Sequence, residues 1–231
     1  MNDTFGVVLT THISSAVACL VTFWIPMLSR KGGRVHVVSG KLYLALLLLT
    51  VVTAWALTVM AAMVAGARPD GTGMPLDGVS HDVTLYRLML GTLAALALVT
   101  LAMAISGMRA LKPDRGGRGV ELGLFAVLAL AGLGLAALGL TQTCPESIVV
   151  GGAGAAAAVY GGAVARRRGK ELRIKDHATG LILSGIGLHS TVLVVVANRV
   201  APEFVHGPYG FVVWALGTVI GLPLVIAFRR R

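Results

Sequence analysis

Charge is what this chain has least of. Asp, Glu, Lys and Arg together make up 13% of its 231 residues, against about 25% in an ordinary soluble domain. A soluble domain of this length needs a polar shell, and so sparse a supply excludes one. Positive charge is absent from residues 1–4 (Met-Asn-Asp-Thr), where a cleavable signal peptide carries its basic segment. The first apolar run continues to about Ser29, and it is expected to be retained. Cysteine is scarce too. Cys19 lies inside an apolar run and Cys144 in a short loop, a placement that argues against a disulfide. Cys19 reads as a small core residue and Cys144 as a spare thiol. The soluble-enzyme motifs are missing: no phosphate-binding loop, no Cys-x-x-Cys pair and no His-Glu-x-x-His helix. Gly151-Gly152-Ala153-Gly154 has no strand before it, so it does not make a dinucleotide site.

What is present is hydrophobic length. Apolar residues make up 56% of the chain, and the mean hydropathy is +0.83. They fall in stretches of roughly 20 residues, the length that spans a hydrocarbon core about 30 Å thick. In lipid each backbone N–H and C=O must bond within the protein, so such runs read as helices. The spans are expected at about 5–28, 42–66, 84–107, 120–141, 147–165, 177–197 and 208–228. Pro145 marks a break between the fourth and fifth. The expected fold is an all-α, polytopic bundle of seven transmembrane helices forming one domain over residues 1–231, with the lipid bilayer as its surroundings.

Basic residues orient the bundle. The loops after spans one, three and five, with the C-terminal tail, hold seventeen of the 20 Lys and Arg residues. Only Arg68, Arg87 and Arg199 fall on the other side. Cytoplasmic loops collect Lys and Arg, so the N-terminus is expected outside and the C-terminus in the cytoplasm. The same placement accounts for the net charge of +10 without nucleic acid. Spans four and five are rich in small residues, among them Gly132, Gly151, Gly154 and Ala155 to Ala158. Small residues let helices approach closely in lipid, which reads as a tight hairpin or a face for a homo- or hetero-oligomer.

Histidines are the candidate chemistry, because ionisable groups at membrane depth are expensive. His36 and His177 sit at the cytoplasmic edge, opening spans two and six. His12 lies about two turns in from the outer end of span one. His189 follows His177 by 12 residues, about 18 Å along the helix, which matches the depth of His12. Two pairs at two depths, His36 with His177 and His12 with His189, are what ligation of two stacked b-type haems requires. Gly40 and Gly180, each about one turn beyond an inner histidine, could clear space for a flat macrocycle. Arg34, Lys41, Arg173 and Lys175 could neutralise propionates. One feature fits poorly: twelve residues at 100° each set His177 and His189 about 120° apart around span six. Unliganded histidines at interfaces, or a neutral imidazole bonding a carbonyl across helices, are the plain alternative. A second group, His12, His81, Asp82, His189 and His206, has donors that suit zinc or a proton path, although no pair has i, i+4 spacing. Arg87, beside Tyr86 and His81, could bind a small anion or snorkel to the outer interface.

The stretch Lys31-Gly-Gly-Arg-Val-His36-Val-Val-Ser-Gly40-Lys-Leu-Tyr43 enters span two behind a first span with an early His12. It resembles a bacterial family of predicted membrane proteins of unknown function, whose pattern is Lys-Gly-x-x-x-His-x-x-x-Gly-x-x-Tyr. The resemblance covers spans one and two well and span six loosely, through Lys170 to His177. By that pattern His36, Gly40 and Tyr43 correspond, with His12 and His177 less directly. The family implies fold and membrane location and no activity. The histidine layout is also similar in geometry to di-haem cytochrome b proteins. Three readings stay open. The first is a haem b electron carrier of the inner membrane, working between a quinone or a periplasmic redox partner and the cytoplasmic side. The second is a transporter or receptor using deep histidines for protons or solutes. The third is a scaffold subunit that makes contact through its Gly/Ala-rich hairpin.

Overall fold

The structure, a computed structural model, describes residues 2–67, 83–111, 118–166, 170–201 and 210–230. Among these residues the chain is helical, with no strand. The helices are α1 (Asn2–Leu28), α2 (Arg34–Ala67), α3 (Val83–Ala110), α4 (Arg118–Thr141), α5 (Pro145–Arg166), α6 (Lys170–Val200) and α7 (Gly210–Arg230). Six of them, α1 to α6, are long and apolar enough to cross a membrane. Large apolar side chains point outward along them: Leu28, Leu130 and Val159 are each more than 70% exposed. That is the surface of a helical bundle made for lipid, since soluble monomers rarely expose broad apolar patches.

Each helix reaches beyond the apolar run that announces it. α2 begins at Arg34 rather than near 42, and α6 at Lys170 rather than near 177. Lys and Arg are good helix formers, and their apolar stems lie along the helix while the charged heads reach water. The hydrophobic run therefore marks the lipid-covered part and not the helix end. One consequence is that His177 lies two turns inside α6 instead of opening it.

The chain divides into two units, residues 1–68 and 69–231. The first is the α1–α2 hairpin, closed by a turn in which Gly32 takes φ +74°, a conformation natural to glycine. Cys19, Phe23, Tyr43, Leu47 and Val51 are buried between its helices.

In the second unit α4 packs along α5, α3 lies against α6, α5 and α4, and α7 packs on α6 and α5. Ala102, Met103, Phe125, Leu128, Ala157 and Ala158 form its central core. The expected small-residue hairpin is present. A Cβ on Gly151 would stand 2.5 Å from the Gly132 carbonyl and 2.6 Å from the Ala136 nitrogen, so α4 and α5 touch backbone to backbone. The α4–α5 turn closes with the Cys144 N–H on the Gly139 carbonyl (2.8 Å). Thr143 sits in the left-handed region there (φ 51°), where helix ends usually place glycine. Pro145 opens α5, at a position whose N–H would have no helical partner.

Candidate functional site

Lys31, His36 and Tyr43 of the Lys31–Tyr43 pattern each have a physical task in the first unit. The last carbonyls of a helix lack intrahelical partners. At the end of α1, Lys31 Nζ donates to the Pro26 and Met27 carbonyls at 3.0 and 2.8 Å. A cation there also meets the negative end of the helix dipole, although burial holds the Lys31 ammonium below the usual lysine pKa. His36 Nδ1 reaches back from α2 to the same Pro26 carbonyl at 3.0 Å. Tyr43 packs its ring on Phe23, with centroids 5.6 Å apart, and its carbonyl accepts the Cys19 thiol at 3.7 Å. The pattern is a clasp that closes the hairpin. Gly40 takes no part in it: a Cβ there would meet nothing within 4 Å.

His12 is tied at the other end of the hairpin. Its Nδ1 lies 3.1 Å from both the Thr50 carbonyl and Thr53 Oγ1. Thr53 gives its own hydrogen to the Leu49 carbonyl and so accepts from the ring. Thr50 Oγ1 bonds Ser15 Oγ at 3.0 Å, and Ser15 donates to the His12 carbonyl at 3.0 Å.

In the second unit His177 Nδ1 lies 2.9 Å from the Gly107 carbonyl of α3. His189 Nδ1 lies 2.7 Å from the Gly185 carbonyl of its own helix. All four candidate histidines thus place Nδ1 on a backbone carbonyl. A carbonyl can only accept, so Nδ1 carries the hydrogen and, in the neutral ring, Nε2 carries the lone pair. This is the arrangement that fixes and orients metal-ligating histidines. The sequence gives no hint of it, because the carbonyls come from the folded backbone.

The role expected of Gly180 is corrected. Its Cβ position would lie 2.7 Å from Gly107 Cα and N and from the Met103 carbonyl. The space that glycine opens is filled by α3, so Gly180 serves the helix crossing and leaves no room there for a macrocycle. At Gly40 the space is open: a Cβ there would meet nothing within 4 Å. Of the four cations expected to meet propionates, Arg34 and Lys41 are exposed, while Arg173 and Lys175 are half-buried. Within α6, His177 and His189 stay apart, as their spacing demands.

Asp176, just before His177, is a residue that sequence reasoning passed over. It is 1% exposed, and its Oδ1 accepts the Tyr160 hydroxyl of α5 at 3.4 Å. A carboxylate this deep in a membrane-type helix is costly. In the sequence it hides in the charged run Lys170–Lys175, which looks like a loop until the helix is seen to include it. Cys144 is likewise more than a spare thiol. Its Sγ donates to Glu146 Oε2 (3.2 Å) and touches Ser147 Oγ (3.2 Å), which pairs with Thr92 of α3 at 2.8 Å. Burial pushes the Cys144 thiol pKa up; the Ser147 contacts lower it and Glu146 raises it.

His81, Asp82 and His206, expected to join His12 and His189 in an outer group, lie outside the described residues. Among the described residues no three His, Cys, Asp or Glu side chains gather as a metal site would. Arg87 is exposed at the start of α3. No protein-family model, curated protein or solved structure matches this chain.

Proposed function

We propose that this is a seven-span integral membrane protein, N-terminus outside and C-terminus cytoplasmic, that binds haem b and carries electrons. In this reading α7 is the seventh span, and the basic residues face the cytoplasm of a bacterial inner membrane. His12, His36, His177 and His189 supply imidazole Nε2 atoms to iron. The bound haem would take up and release one electron at a time, passed from a quinone or a periplasmic redox protein.

The observation that supports this is the shared tautomer. Four histidines on three helices each commit Nδ1 to a main-chain carbonyl, the tautomer in which the lone pair sits on Nε2. Thr50, Thr53, Pro26 and Gly107 would orient the ligands in the manner of outer-shell partners around metals. The resemblance of the Lys31–Tyr43 pattern to predicted membrane proteins agrees with the fold and location. The test is the absorption spectrum of protein purified from haem-replete cells and reduced with dithionite. It should show b-type bands, weakened by His36→Ala and His12→Ala.

The same bonds favour a second reading, in which the histidines only tie helices together in a scaffold subunit. Colourless protein in which His36→Ala alters stability alone would favour that reading.

A further inference from the structure

The end of the second unit at which α3 finishes and α6 begins gathers cations from three helices. The Gly107–Gly180 contact and the His177 bond to the Gly107 carbonyl set these two helices at a common level. Arg109 follows Gly107 by two residues and Arg173 precedes His177 by four, about 3 and 6 Å further toward that end. The Tyr160–Asp176 bond sets α5 at the same level. Arg166 lies six residues past Tyr160, about 9 Å in the same direction. Ala110, Val164 and Ala165 are buried, so α3 and α5 stay packed to their last turns. Arg109, Arg173 and Lys175 are half-buried, where loop cations would stand in water. Asp176 is a buried acid at this level.

We propose that this basic end of the second unit binds the phosphate of an anionic phospholipid. A charged crown at the end of packed, lipid-facing helices meets headgroups, and basic pockets between membrane helices suit phosphate-rich ones. Arg109 and Arg173, carried by touching helices, can grip one phosphate with planar guanidinium forks. Acyl chains would then lie along the apolar outer faces. The proposal does not rest on haem binding, because none of its lipid contacts involves a histidine.

The test is native mass spectrometry of the full chain offered phosphatidylglycerol, cardiolipin or phosphatidylcholine, with haem absorbance read on the same samples. Each cation near a headgroup contributes roughly fivefold to binding, so Arg109→Gln with Arg166→Gln should weaken anionic-lipid binding roughly 30-fold. Phosphatidylcholine binding should not change. The charge-keeping double variant Arg109→Lys with Arg166→Lys should retain much of the preference and shows whether the sites tolerate substitution. Equal binding of anionic and neutral lipid by the wild type, or an unchanged preference in the glutamine variant, would overturn the proposal. So would displacement of the lipid by millimolar inorganic phosphate, which would mark a site for the free anion. A colourless sample that still prefers anionic lipid removes the haem reading and leaves this one standing.

Discussion

His36 Nδ1 and the Pro26 carbonyl are 3.0 Å apart, ten residues from each other across a tight turn. Lys31 Nζ shares that carbonyl, so two side chains of one short motif hold the end of α1. Lys31→Met removes the donor from the Met27 carbonyl and one of the donors from the Pro26 carbonyl, which His36 still holds, and should destabilise the protein by about 1 kcal/mol. Arg34→Gln, at an exposed neighbouring position, should stay within roughly 0.5 kcal/mol of wild type. Reversible unfolding in mixed micelles measures both. Equal effects would mean that the clasp contributes nothing.

Gly180 and Gly40 sit at similar offsets from their histidines and should respond oppositely to alanine. A Cβ at Gly180 meets α3 backbone at 2.7 Å, and backbone cannot turn aside as a side chain can. Gly180→Ala should therefore push α3 and α6 apart, destabilising the second unit by roughly 1–3 kcal/mol, as overpacked cores are. Gly40→Ala meets nothing within 4 Å and should leave stability nearly unchanged or raise it, since alanine favours helix. If Gly40→Ala lowers haem content at unchanged stability, the open space beside His36 is used by the cofactor.

Cys144 should react slowly. Its pKa lies above the ordinary thiol value because burial disfavours the thiolate, and only the thiolate attacks. Alkylation by iodoacetamide at neutral pH should lag behind that of a free thiol. Its rate should still be climbing at pH values where the free thiol has reached its plateau. Glu146→Gln removes a carboxylate that holds the pKa up and should speed the reaction. A faster-than-free rate for the wild type would contradict this account of the α4–α5 turn.

The membrane-type helical fold was legible because hydrophobic length and charge placement are local, additive signals. The Lys31–Tyr43 motif and the α4–α5 hairpin were legible for the same reason: their parts are close in sequence. Helix ends were not, since Arg34, Lys170 and Arg173 continue the helix past the hydrocarbon, and this concealed Asp176 inside α6. Gly180 was misread because a glycine signals missing volume without naming what fills it; here the filler, Gly107, lies 73 residues away. The tautomers of His12 and His177 depend on carbonyls of Thr50 and Gly107, which carry no sequence signature at all.

The central claim is that four histidines with Nδ1 bound to carbonyls present Nε2 to haem iron. It is tested most directly by the haem-to-protein ratio of purified full-length chain, read from the reduced pyridine haemochrome against amino-acid analysis. Four axial imidazoles at two per iron predict a ratio of about two. A ratio near zero in protein made by haem-replete cells would contradict the account.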